Sequence, residues 1–124
     1  MSEYTDVVAI EALQEGVMIR VDVRGTAVLL ARVGDAIHAV QARCPHFGAD
    51  LSRGTLEGSI VRCPLHGSQF DLTDGHVVKW AEQLPSLARK MSDAVRPEQP
   101  LGVFDVKVED GRVLVGPERR RVTP

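Results

Sequence analysis

VQARCPHFGAD (Val40–Asp50) and VRCPLHGSQFD (Val61–Asp71) share one plan. Each sets a Cys-Pro step before a histidine and a glycine: Cys44-Pro45-His46-Phe47-Gly48 in the first, Cys63-Pro64-Leu65-His66-Gly67-Ser68 in the second. The spacing is Cys-x-His, sixteen residues, then Cys-x-x-His, and it takes up both cysteines of the chain and two of its four histidines. Thiolate and imidazole together suit zinc, copper or iron. A single zinc wants four donors around one point, commonly with two to four residues between paired ligands. Cys44 and His46 have one residue between them. In an extended backbone, such neighbours point the same way but stand roughly 6–7 Å apart, which suits two metals better than one. A diamond of two irons and two bridging sulfides accommodates both cysteines on one iron and both histidines on the other, each loop giving one ligand to each iron. A zinc-binding interaction module is the competing reading.

Working outward, short strand-like runs flank these loops. Met18–Val23 alternates Ile19, Val21 and Val23 against Met18, Arg20 and Asp22, the period of a strand with one apolar face. Arg24-Gly25 and Gly34-Asp35 are tight-turn signals around Thr26–Val33, which leads to Ala36–Gln41. Shorter candidates are Ser59–Arg62, Ser68–Leu72 and His76–Lys79; Gly102–Glu109 and Arg112–Val115 flank Asp110-Gly111, the strongest hairpin signal. One stretch has a different period. Leu84, Leu87, Ala88, Met91, Ala94 and Val95 recur at steps of three and four, with Pro85 near the start and Pro97 just past the end, which predicts an amphipathic helix over 86–95. Its apolar face is expected to cover a sheet edge or the core; a docking face for a partner is the rival. The predicted fold is all-β, an antiparallel sandwich with one short helix. Long loops are expected at 42–58 and 79–101, the kind of loop that carries function in a compact domain.

Length and composition agree with one small domain. A chain of 124 residues with 44% hydrophobic content makes one domain that buries about two-thirds of its surface, and a bound metal would help it. Fifteen Lys and Arg stand against 17 Asp and Glu, which argues against nucleic acid as partner. The longest unbroken apolar run, Ala27–Ala31, is far short of the about 20 residues a bilayer requires, so no membrane association is expected. No Lys or Arg precedes Arg20, so no secretory signal and a cytoplasmic setting are expected. Two cysteines are too few for a disulfide scaffold. Arg119-Arg120-Arg121 is read as a solvated tail.

The stretch from about Val40 to Asp71 resembles the Rieske family, in which two histidines replace two cysteines on one iron. Four ligands, their spacing, the prolines and the glycines all match. The resemblance implies a single Rieske domain over 1–124, with a cluster-binding subdomain at about 42–71 and the inserted helix at about 86–95. It implies one 2Fe-2S cluster per chain, with Cys44 and Cys63 on the inner iron and His46 and His66 on the outer one. It also implies a soluble electron carrier, not an enzyme, that looks like the ferredoxin component of bacterial multicomponent oxygenases. The partners would be an NAD(P)H-dependent flavoprotein reductase and a terminal oxygenase. A small subunit of a larger, nitrite-reductase-type enzyme is the alternative. The chain is too short for an oxygenase's own catalytic iron, and only His38, on a strand face, and His76, in a solvated turn, are left over.

Three departures from the family pattern are visible. The two extra cysteines of the respiratory members correspond to Ala49 and Leu65, so the loop-linking disulfide is missing. Ser68 is kept and either hydrogen-bonds a cluster sulfur or caps its loop, whereas Phe70 stands where high-potential members have a tyrosine hydroxyl. One lost hydrogen bond to a charged acceptor is worth roughly 1–3 kcal/mol, or on the order of 40–130 mV at about 59 mV per tenfold change, so the potential is expected below that of the respiratory class. Third, the usual proline-containing third loop is replaced by Lys79-Trp80-Ala81 and the helix. Trp80 either packs against the cluster loops or gates them. Pro45, Phe47, Pro64 and Leu65 are expected to stiffen and shield the site, with Phe47 and Leu65 also forming the rim of a docking surface.

Overall fold

The computed structural model describes residues 3–81, 83–95 and 97–119. Among these residues, ten strands form two antiparallel sheets. The six-stranded sheet has the order β1 (Thr5–Ala9), β10 (Arg112–Glu118), β9 (Val103–Glu109), β4 (Ala36–Gln41), β3 (Thr26–Val33), β2 (Met18–Val23). The smaller sheet runs β5 (Thr55–Glu57), β6 (Ile60–Arg62), β7 (Gln69–Asp71), β8 (Val77–Lys79). One helix, α1 (Ser86–Val95), lies between β8 and β9. The all-β antiparallel expectation therefore holds, and β2, β3, β4 and α1 begin and end where the sequence pattern places them.

Strand β3 explains the apolar run at 27–31. Leu29 and Ala31 point into one core with Val40, Leu51, Val61, Phe70 and Leu72; Val28 and Leu30 point into another with Leu13, Ala39, Val113 and Val115. A strand buried on both faces reads as continuous hydrophobicity instead of alternation. The first of these cores fills the space between the two sheets, and Cys44 and Cys63 belong to it.

Two strands escaped the sequence reading. β1 pairs with β10 across the length of the chain, Thr5 opposite Val115, a partnership that its five residues do not advertise. β5 lies inside the expected loop 42–58; its three residues are held by β6, and a 3-10 turn at Leu51–Arg53, capped by the Asp50 side chain, precedes it. The helix differs from expectation in orientation. Leu87 and Met91 are 72% and 65% exposed and do not cover a sheet edge, because the helix turns Ser92 toward the loop carrying His46. Beyond Arg119, which pairs with Asp105, the arginine run lies outside the described residues.

Candidate metal centre

The two Cys-Pro loops fold alike. The Cys44 amide donates to the Ala49 carbonyl at 2.8 Å, and the Gly48 amide donates back to the Cys44 carbonyl at 2.8 Å. In the second loop Cys63 donates to Ser68 at 2.7 Å and Gly67 to Cys63 at 3.2 Å. Gly48 and Gly67 hold the same left-handed turn, φ +74° and +77°, which costs an L side chain about 1–2 kcal/mol. With these bonds made inside each loop, the amides of residues two and three past each cysteine are directed at sulfur: those of His46 and Phe47 at Cys44, those of Leu65 and His66 at Cys63.

The loops meet so that like donors pair. The thiols of Cys44 and Cys63, both buried and free of any disulfide, lie within hydrogen-bonding reach of each other and share a proton. Hydrogen bonding to Cys44 draws Cys63 down to about 6, and the same bond, with burial, holds Cys44 well above the ordinary thiol range. The shared hydrogen bond thus favours the anion on Cys63, the form in which a sulfur binds metal. The two imidazoles turn their Nδ1 atoms toward each other at 3.2 Å, their ring centroids 5.0 Å apart. Two nitrogens on one tetrahedral metal at about 2.0–2.1 Å would stand about 3.3 Å apart, so this spacing fits a shared metal bound through Nδ1. Among the described residues no group of three or more His, Cys, Asp or Glu side chains surrounds a single ion position; the four donors stand as a thiol pair and an imidazole pair. A mixed set divided two and two suits two irons.

The surroundings differ on the two sides. Phe47 lays its ring edge 4.3 Å from His46 and 5.4 Å from His66, centroid to centroid, and is 47% exposed; Leu65 is 51% exposed. Trp80 packs between His46 at 5.0 Å and Phe70 at 6.3 Å, centroid to centroid. Ser68 is fully buried, and its Oγ accepts the Ala81 amide at 2.8 Å. This tie to the segment after β8 is neither of the two roles expected for it, and among the described residues it leaves the hydroxyl proton unused. The Gln83 amide adds a second tie, donating to the His66 carbonyl at 2.9 Å. His38 and His76 stay apart from the site. His38 lies on β4, where burial lowers its pKa, and His76 pairs with Asp74 at 2.5 Å on the surface.

The Rieske 2Fe-2S domain family matches residues 3–105. The chain belongs to the Rieske family. It accordingly carries a 2Fe-2S cluster and acts in electron transfer, not as an enzyme. It is 36% identical over 115 residues to the ferredoxin CarAc of Metapseudomonas resinovorans, covering 92% of this chain and 94% of that one. Its fold matches the ferredoxin of carbazole 1,9a-dioxygenase from Nocardioides aromaticivorans IC177 with a TM-score of 0.76 at 30% identity, over 94% of this chain and 99% of that one. A complex of reduced oxygenase and oxidised ferredoxin in carbazole 1,9a-dioxygenase contains a chain matched with TM-score 0.76 at 32% identity, over 98% of this chain and all of that one. Among the described residues, a contact with the site that the sequence did not announce is made by Ser92, 2.5 Å from His46 Nε2. A serine in an amphipathic helix reads as solvent-facing, and no local signal announces otherwise.

Proposed function

We propose that Cys44 and Cys63 hold one iron and His46 and His66 the other. On this reading the chain is a single Rieske domain over 1–124, with a cluster-binding subdomain at 42–71. It works in the cytoplasm as a one-electron carrier between an NAD(P)H-dependent flavoprotein reductase and a terminal oxygenase. The observation that carries the proposal is the pair of matching loops, which put thiol beside thiol and Nδ1 3.2 Å from Nδ1.

When bound, the cluster supplies reversible storage of one electron. The chain's own residues do the rest. Amides of His46, Phe47, Leu65 and His66 stabilise the sulfur anions. Trp80 and Phe70 exclude water from the side facing the core. Phe47 and Leu65 leave an apolar rim at the surface, the kind of surface that brief protein encounters use. The oxygenase as partner is supported by likeness to a ferredoxin seen in complex with one. Among the described residues no helix is long and apolar enough to cross a membrane, and the near-balanced charge gives no reason to invoke nucleic acid.

Iron, acid-labile sulfide and an EPR spectrum of the dithionite-reduced protein test the assignment. Equal iron and sulfide with a rhombic Rieske-type signal are expected, and His46→Ala and His66→Ala should each abolish that signal. A signal that survives either substitution overturns the ligand set. A colourless protein with stoichiometric zinc would make the chain a zinc module. The carrier role is tested by reconstitution: substrate oxidation by the oxygenase should require reductase and this chain together. Stable co-purification with a large reductase subunit would instead indicate the nitrite-reductase type of assembly.

A further inference from the structure

The matching loops predict two equivalent imidazoles, yet the imidazoles are unequal. His46 is 1% exposed, while His66 is only half-buried. The difference comes from α1, an element the two loops do not need. Its residue Ser92 stands over His46 with Oγ 2.5 Å from Nε2, and Trp80 and Phe47 close the ring's flanks. With Nδ1 of His46 turned inward beside Nδ1 of His66 and taken up by the iron, the ring proton belongs on Nε2, so Nε2–H donates and the Ser92 hydroxyl accepts.

We propose that Ser92 is a positioning residue for the cluster, which fixes the His46 ring, shuts its outer edge off from water and holds the reduction potential down. This rests on His46 being an iron ligand through Nδ1. Two effects act in the same direction. An acceptor on the outer nitrogen of a metal-bound imidazole makes the ring a stronger donor, which favours the oxidised iron. Replacing water by a helix over the ring raises the cost of the added negative charge, since the oxidised site is formally neutral, with two positive charges on the core and two thiolates, and the reduced site is anionic. Among the described residues, no such contact covers the more exposed His66. The only role left for a hydroxyl at position 92, were the proposal wrong, would be to hold the helix in place.

The experiment compares the cluster-loaded wild type with Ser92→Ala and Ser92→Thr. Voltammetry should show the potential of Ser92→Ala shifted upward and that of Ser92→Thr, which keeps the oxygen, close to wild type. Proton ENDOR on reduced samples frozen at intervals after transfer to D2O should show two ligand N–H protons in the wild type, one exchanging severalfold more slowly than the other, and the slow one becoming fast in Ser92→Ala. An intact Rieske signal with an unshifted potential in Ser92→Ala, or two protons exchanging at one fast rate in the wild type, overturns the proposal alone. A wild type without iron and sulfide, or one whose signal survives His46→Ala, overturns the ligand assignment and this proposal with it.

Discussion

Phe70 stands alone among the residues around the site in departing from the high-potential pattern while keeping its shape. Its ring is fully buried in the core that also contains both cysteines, and Trp80 meets it edge-on at 6.3 Å. A tyrosine there would add one donor within the same cluster of side chains. Phe70→Tyr is therefore expected to raise the potential by on the order of 40–130 mV, the equivalent of one hydrogen bond to a charged acceptor, read by voltammetry. A potential unchanged or lowered would mean that the hydroxyl finds no sulfur and leaves a buried polar group that only costs stability. At this scale the sequence was legible where the signal is local. The proposed donors Cys44, His46, Cys63 and His66 stand out by their fixed spacing, and Gly48 and Gly67 because a left-handed turn needs glycine. Ser92 was not legible, because its partner is 46 residues away.

The two loops act as elements, and their glycines test whether they are equivalent. Gly48→Ala meets no atom within 4 Å, so it should cost only the left-handed backbone penalty, about 1–2 kcal/mol. Gly67→Ala carries the same penalty and in addition places a Cβ 2.9 Å from Gln83 Cγ, beside the segment whose Gln83 amide binds the His66 carbonyl. Both variants should unfold at lower denaturant than wild type, and Gly67→Ala should also release its iron faster, followed by the decay of visible absorbance. Equal stability of wild type and Gly48→Ala would mean that the turn relaxes to another conformation. Element boundaries were readable where an alternating or three-to-four-residue period ran for six residues or more, as in β2 and α1. β1 and β5 were not, because each owes its existence to a partner strand, β10 and β6. The direction α1 faces was also hidden. Its apolar stripe promised burial, yet Leu87 and Met91 face solvent while the contact with His46 is made by a serine.

For the whole molecule, global and local charge make opposite forecasts. The chain carries a formal net charge of −2, which would repel an anionic oxidant. Close to the loops the balance reverses. Arg20 and Arg53 share the single carboxylate of Asp50 at 3.3 and 4.0 Å, Arg43 reaches the Gly48 carbonyl at 3.4 Å, and Arg53 and Arg62 line a groove with Cys63 and Pro64. Among the described residues, these four guanidinium groups have one carboxylate, that of Asp50, paired with them, which makes this side of the loops locally positive. Charges separated by more than a Debye length, about 8–10 Å at 0.10–0.15 M salt, are largely screened, so an oxidant at the exposed rim of Phe47 and Leu65 feels these arginines more than the distant acids. Oxidation of the reduced protein by hexacyanoferrate should therefore slow as salt rises, and oxidation by a cationic cobalt complex should accelerate, both followed by stopped-flow absorbance. The same arginines would draw in a partner with an acidic docking face, raising its association rate without adding to the area it buries. If the anionic oxidant instead speeds up with salt, the net charge governs, and the arginines beside the loops are too well neutralised to steer an approaching partner.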